Sequence, residues 1–157
     1  MMVIPLFISF SYLGLTDTIL SVMLGHITFT TPFALWFLWG FFRALPIELE
    51  EAAMVDGLSR LKAFYHITLR LALPGIFAVA IFSFAVSWND YLFAFTLLTS
   101  EADKTLTLAF VAYAGSEGAD WGILMATSVL IAVPPVFAFI FIQKYLLAGL
   151  GYFGVKL

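Results

Sequence analysis

The sequence contains no cysteine and few charged residues. Without cysteine there is no disulfide framework, no thiol catalysis and no thiolate metal site. Only 11% of the 157 residues are charged, whereas soluble proteins average roughly 25%. The seven basic residues are scattered and the net charge is −3, so no cationic surface is predicted for nucleic acid. These scarcities exclude a water-soluble globule and argue against a nucleic-acid-binding protein.

Apolar side chains, by contrast, are abundant. Hydrophobic residues make up 63% of the chain, and the mean hydropathy is +1.07. One core of this size cannot hide so much apolar surface, so we expect the lipid bilayer to be the solvent. A membrane-spanning helix needs about 20 residues, and three runs reach that length: residues 19–42, 75–98 and 122–143. The opening run, 1–15, is shorter and resembles the tail of a truncated span.

The basic residues predict how these spans are oriented, because Lys and Arg are retained on the cytoplasmic side of a membrane. Four of them lie in residues 43–74 and two in the C-terminal tail, whereas the alternate segments hold only Lys104. The pattern predicts a multi-pass protein of the cell (inner, cytoplasmic) membrane. Residues 43–74 and the C-terminus are then cytoplasmic.

Residues 43–74 carry the signals of two short helices. Pro46 suits the first position of a helix, and the acidic residues that follow it favour the positive end of the helix dipole. Gly57 can adopt the left-handed conformation that ends a helix. Ser59 suits the N-cap of a second helix, which we expect to end at Pro74. Such a pair could rest on lipid headgroups, dock into a groove on a soluble protein or form a solvated loop.

Within this segment, Glu51-Ala52-Ala53, Gly57, Ile67 and Leu69 have the spacing E-A-A-x3-G-x9-I-x-L. The pattern resembles the EAA loop of binding-protein-dependent ABC importer permeases. The rest of the chain is similar to the carbohydrate-uptake branch of that family, the maltose and glycerol-phosphate type. The residues that carry this wider similarity are the runs 41–50, 87–91 and 149–156.

Two features depart from the family's pattern. Arg70 stands where the motif ends in proline, so we expect the second loop helix to pass through Arg70 uninterrupted. Family members usually have six spans, whereas this sequence predicts three full spans and a partial one. The expected fold is an all-α polytopic transmembrane helical bundle with a cytoplasmic two-helix EAA loop. Residues 1–157 would form one partial permease domain that lacks the family's first two spans.

The resemblance implies that residues 43–74 dock on an ABC ATPase and convert its nucleotide-driven closure into movement of the spans. Each residue of the pattern also has an ordinary structural explanation as a helix-dipole partner, a helix former or a helix cap. The combination at this spacing favours docking. The implied docking residues are Glu51, Ala52, Ala53, Asp56, Gly57, Phe64, Ile67 and Leu69.

The implied partners are an ABC ATPase subunit dimer, a second permease subunit, an external solute-binding protein and the lipid bilayer. The sequence has no G-x-x-x-x-G-K-[ST] motif, so we expect ATP to be hydrolysed on the ATPase partner. The chain itself is expected to hold no cofactor and no metal and not to be an enzyme. The resemblance implies a sugar or polyol-like solute.

Asp90 is the one acid within the three long apolar runs. A carboxylate near the bilayer centre costs roughly 2.5–3.5 kcal/mol and usually has a function. Together with Ser83, Ser87 and Asn89, it is a candidate for lining the translocation path. The aromatic neighbours of Asp90 fit an interfacial belt equally well, and serines also pack between helices.

Two other classes of function are considered. An integral-membrane enzyme is disfavoured, because polar residues at lipid depth are few and Asp90 has no evident partner. A passive channel or structural membrane protein would not need the two-helix loop. His26 is expected to hydrogen-bond to a neighbouring helix rather than to bind a metal, and His66 is expected at the surface.

Overall fold

The computed structural model describes residues 2–100 and 103–152, with side chains as far as residue 143. Within these ranges every regular element is helical, which confirms the all-α prediction. Lys156 and the end of the run 149–156 lie outside the described residues. The helices are α1 (Val3–Tyr12), α2 (Ile19–Arg43), α3 (Glu48–Val55), α4 (Arg60–Trp88), α5 (Leu92–Leu97), α6 (Leu106–Ala114) and α7 (Trp121–Tyr152).

Three of these helices are long and apolar enough to cross a membrane: α2, α4 and the part of α7 up to Gln143. This finding confirms the prediction of three full spans. The ten-residue α1 is apolar but too short to span, as expected for the opening run. The prediction that residues 1–157 form one partial permease domain stays a prediction.

The second loop helix does not end at Pro74, contrary to the prediction from the sequence. It continues through Pro74 as α4 to Trp88. A proline inside a helix removes one backbone hydrogen bond, but membrane helices tolerate this where packing and local changes of helix geometry satisfy the freed group. A separate change of helix geometry occurs earlier in α4, where residues Phe64–Thr68 form a π-helical turn. Arg70 lies inside α4, as predicted.

The predicted run 75–98 is also not one helix, because α4 ends at Trp88 and α5 begins at Leu92. Two polar side chains compete for the backbone there. The Asn89 side-chain amide donates a hydrogen bond to the Ala85 carbonyl at 2.9 Å. The Asp90 carboxylate accepts hydrogen bonds from the N–H groups at the start of α5. The hydropathy of the run could not reveal this break.

The chain packs as two compact units. The first, here called the aspartate unit, comprises residues 1–32 and 84–137. Its core is formed by α1, the first part of α2, α5 and α6, because the apolar residues of these short elements face one another. The buried members of this core are Phe10, Val22, Phe93, Ala94, Leu97, Leu98 and Leu108.

The second, here called the loop unit, comprises residues 33–83 and 138–157. Phe33, Phe37 and Phe41 follow one another at intervals of four residues along one face of α2. The Phe33 ring meets that of Phe82 on α4, with 4.1 Å between the ring centroids. The Phe41 ring lies against Gly75 so closely that a Cβ there would be 2.6 Å from its Cγ. Aromatic side chains therefore hold α2 to α4 in this unit.

Candidate functional site

The two predicted helices of the loop are present as α3 and the first turns of α4, and Gly57 lies between them. Its φ of +95° is in the region that favours glycine. No atom lies within 4 Å of the place a Cβ would occupy, so the backbone conformation, and not lack of space, calls for glycine. Ser59 has the extended N-cap conformation, and its carbonyl accepts a hydrogen bond from Ala63 at 2.9 Å.

A side-chain hydrogen bond joins the two loop helices. The Thr68 hydroxyl donates to Oε2 of Glu50 at 2.5 Å. This contact links α3 to the π-helical turn of α4 and occupies one of the acidic residues in the first turn of α3. Beside it lies a groove of about 330 Å³, whose walls include the stacked rings of Phe42 and Phe64. The loop thus has an interior of its own, which the sequence pattern did not reveal.

The predicted docking residues occupy different depths in the loop. Ala53 is buried, as is Ala63 on α4, and both contribute to the packing of the loop itself. Three others are half-buried on α4: Phe64, Ile67 and Leu69. The remaining four are exposed and are here called the exposed rim: Glu51, Ala52, Asp56 and Gly57.

The candidate pathway residues are distributed over both units. Ser83 is a half-buried residue of the loop unit, whereas Ser87, Asn89 and Asp90 belong to the aspartate unit. Ser87 is half-buried, and the exposed Asn89 uses its amide to hydrogen-bond to the backbone of α4. Their role in a translocation path stays a prediction.

Asp90 has a partner that the sequence analysis missed. The Nε2 atom of His26, on α2, lies 3.2 Å from Oδ2 of Asp90, and the two side chains are only 14% and 12% exposed. The contact has the distance of an ion pair but not the geometry of a hydrogen bond. The interpretation that Asp90 lacks a partner is therefore wrong. A signal was available, because His26 is the only ionisable side chain between Asp17 and Arg43.

The contacts around this pair join α2 to the start of α5. Oδ1 of Asp90 accepts a hydrogen bond from the Phe93 N–H at 3.3 Å, and Oδ2 accepts one from the Ala94 N–H at 3.1 Å. The Phe93 ring meets the His26 ring edge-on, with 5.6 Å between their centroids. A Cβ at Gly25 would lie 2.8 Å from Cδ1 of Phe93. We call Gly25, His26, Asp90 and Phe93 the α2–α5 joint.

Asp17 forms a second polar link in the aspartate unit. Its Oδ1 accepts hydrogen bonds from the N–H groups of Thr99 and Ser100, both at 2.7 Å. Its own N–H donates to the Leu97 carbonyl at 2.8 Å. The Ser100 N–H, followed by that of Thr99, lowers the pKa of Asp17 below its ordinary value of 3.8. The turn between α1 and α2 is thereby tied to the end of α5.

Across the described residues, no three potential metal-ligating side chains come together. The Asp90 oxygens already accept two backbone hydrogen bonds, and Asp17 is engaged by two others. Both carboxylates therefore link chain segments through hydrogen bonds to the backbone.

Comparison with known proteins gives the following similarities. The family model described as "Binding-protein-dependent transport system inner membrane component" matches residues 1–152. The Escherichia coli inner membrane ABC transporter permease protein YcjP is 38% identical over 156 residues, which are 99% of this chain and 56% of that protein. The diacetylchitobiose uptake system permease protein NgcG of Streptomyces coelicolor is 37% identical over 144 residues, covering 90% of this chain and 48% of NgcG.

A third relative is the trehalose/maltose transport system permease protein MalG of Thermococcus litoralis. It is 34% identical over 139 residues, which are 88% of this chain and 50% of MalG. The chain thus spans about half the length of the curated relatives it matches.

Proposed function

Because this chain belongs to the family of binding-protein-dependent transport system inner membrane components, we propose that it acts as a permease subunit of an ATP-driven importer. Its proposed partners are a pair of ABC ATPase subunits, a second permease subunit and an external solute-binding protein. ATP is then hydrolysed on the ATPase subunits. Relatives named for diacetylchitobiose and for trehalose and maltose support a sugar or a related solute.

The observation that carries the proposal is the exposed rim of the loop. Its four residues include three of the EAA pattern, and Val55 beside them is 87% exposed. Two acidic side chains, small residues and an unburied apolar side chain in and beside a short helix suit a groove on another protein. Three glutamates in the first turn of α3 disfavour the negatively charged surface of the membrane as the alternative.

The inside of the loop supports transmission of movement. Buried Ala53 and Ala63, together with the hydrogen bond from Thr68 to Glu50, hold α3 against the first turns of α4. The second loop helix and the span that follows it are one continuous helix, α4. We therefore propose that a displacement of the loop by the ATPase displaces α4 directly.

The proposed orientation places residues 43–74 and the C-terminus in the cytoplasm. The concentration of basic residues in these segments supports it. So does the end of α2, where the Arg43 guanidinium lies 4.8 Å from the centre of the Trp39 ring. Aromatic and basic side chains of this kind anchor helix ends at a membrane interface.

The experiment that tests the proposal compares two glycines. Gly57 in the loop and Gly118 between α6 and α7 both have positive φ, +95° and +82°, and at neither position does an atom lie within 4 Å of the place a Cβ would occupy. A β-branched residue is strained at either position. We replace each with valine and measure the amount of chain in the membrane, copurification with the ATPase and ATP turnover.

We expect Gly57→Val to reach the membrane at the parent level but to lose at least about nine-tenths of the copurifying ATPase and of the transport-linked ATP turnover. Gly118→Val should retain both, because it strains a turn outside the loop. Retention of both activities by Gly57→Val, or equal loss in the two variants, would contradict the proposed role of the loop.

A further inference from the structure

We propose that His26 is a positioning residue, which holds the Asp90 carboxylate and the start of α5 against α2. Asp90 then has a structural role and is not a ligand for the solute. The structural role follows from the geometry of the α2–α5 joint. Only the statement about the solute rests on the proposed function.

The first step concerns what Asp90 has left to offer. Each carboxylate oxygen accepts a backbone hydrogen bond from the start of α5, and Oδ2 also faces Nε2 of His26. The Asp90 side chain is 12% exposed. Little of this side chain is open to a ligand, so a solute that approached the carboxylate would have to enter the space that His26 and the start of α5 occupy.

The second step concerns charge. A buried carboxylate is costly unless an opposite charge or hydrogen bonds compensate for it, and among the described residues Asp90 is the only charged side chain that faces His26. There is no Asp, Glu, Lys or Arg in the following helices of the aspartate unit: α1, α5, α6, α2 up to Pro32 and α7 up to residue 137. Apart from His26, these helices contain two ionisable side chains, Tyr12, which is 89% exposed, and Tyr113. Tyr91 lies next to Asp90 in the sequence. Among the described residues, His26 is therefore the side chain positioned to compensate the Asp90 carboxylate.

The third step concerns shape. Gly25 precedes His26 on α2 and allows the Phe93 ring to approach the helix backbone. The same ring packs edge-on against His26. Ala94, the next residue of α5, is 0% exposed and donates its N–H to Asp90. Release of Asp90 from His26 would therefore loosen α5 and expose Ala94.

The absence of native cysteine makes this exposure measurable. We introduce Ala94→Cys as a reporter in the full chain, in isolated membranes, and follow its labelling by N-ethylmaleimide. Ala114→Cys, at the exposed end of α6, is the matched reference. The labelling rate of Ala94→Cys is divided by that of Ala114→Cys in the same buffer, which corrects for differences in reagent concentration and membrane preparation.

In this background we compare His26→Leu, His26→Gln, Asp90→Asn and the double variant His26→Leu/Asp90→Asn. We expect each single variant to raise the relative labelling rate, His26→Leu and Asp90→Asn by roughly tenfold and the polar His26→Gln by less. The double variant should exceed the larger single effect only slightly, because both changes break one contact. His66→Gln, which alters the other histidine of the chain, should leave the rate unchanged.

Unchanged labelling in the single variants or additive effects in the double variant would overturn the proposal. These readouts need no solute and no ATPase, so they can fail while the proposed function stands, and the reverse.

Discussion

The contacts inside the aspartate unit differ in kind from those inside the loop unit. In the aspartate unit, two carboxylates reach segments distant in sequence: Asp90 contacts His26, and Asp17 binds Thr99 and Ser100. In the loop unit, the helices meet mainly through phenylalanine rings, and the polar contribution is the bond from Thr68 to Glu50. Contacts between polar groups that are distant in sequence have to be found in the structure. Phenylalanines at intervals of four residues, by contrast, can be recognised in the sequence as one face of a helix.

The difference also bears on function. The polar links of the aspartate unit fix the ends of short helices, which otherwise have little surface with which to pack. The loop unit exposes part of its EAA pattern on the exposed rim, and its second loop helix continues into the span as α4. The proposed contact with an ATPase therefore concerns the loop unit.

The largest expected effect on stability comes from replacing the two glycines that lie against a phenylalanine ring. At Gly75, a Cβ would lie within 2.8 Å of three atoms of the Phe41 ring, whereas at Gly25 only one atom of Phe93 is that close. We expect Gly75→Ala to lower the free energy of unfolding in micelles by about 1–3 kcal/mol and Gly25→Ala to lower it by less.

The control for this pair is Gly40→Ala, also on α2, where nothing lies within 4 Å of an added Cβ. Alanine is favoured over glycine in a helix by roughly 0.5–1 kcal/mol, so this variant should be at least as stable as the parent. If Gly75→Ala matched Gly40→Ala in stability, the close packing of Phe41 against α4 would be wrong.

A smaller effect is expected from the polar contact of the loop unit. Thr68→Val keeps the shape of the side chain but removes the hydrogen bond to Glu50. Because neither residue is fully buried, the loss of stability should be below about 1 kcal/mol. Thr68→Ser, which keeps the hydroxyl, should lose less than Thr68→Val in the same unfolding measurement. The opposite order would show that the methyl group, and not the hydrogen bond, holds α3 to α4.

The smallest effect concerns Asp17 and pH. Hydrogen bonds from Ser100 and Thr99 lower the pKa of Asp17, so its contribution is present at pH values above the ordinary 3.8 and is lost as pH falls through the lowered value. Asparagine tolerates the positive φ at this position. In Asp17→Asn we expect the amide hydrogens of Thr99 and Ser100 to exchange with solvent faster than in the parent at neutral pH. The difference should vanish in strong acid, and a difference that persisted there would assign it to another cause.

Local features of the fold could be predicted from the sequence. The three spans follow from the length of apolar runs. The first loop helix follows from the acidic residues at its start and Gly57 after its end, although it begins at Glu48 and not at Pro46. The second follows from Ser59 as its N-cap. The positive φ of Gly57 confirms the turn between the two helices. The EAA spacing identified the family, which the match over residues 1–152 confirms.

The features that could not be predicted depend on distant partners. The isolated position of His26 between Asp17 and Arg43 was a signal, but its pairing with Asp90 exists only once α2 lies beside the start of α5. The passage of α4 through Pro74 was missed because the proline was interpreted as a helix end, whereas helices in membranes tolerate an internal proline. The end of α4 at Trp88 was missed because hydropathy ignores how Asn89 and Asp90 use backbone groups.

The central claim, that the exposed rim meets an ATPase in the cytoplasm, is tested most directly by labelling Glu51→Cys with a membrane-impermeant maleimide. The reference is Ser116→Cys, in the exposed turn after α6, which the same topology places outside. Glu51→Cys should stay unlabelled in intact cells and be labelled in inverted vesicles stripped of peripheral proteins, with the reverse pattern for Ser116→Cys. Labelling of Glu51→Cys in intact cells would contradict the account.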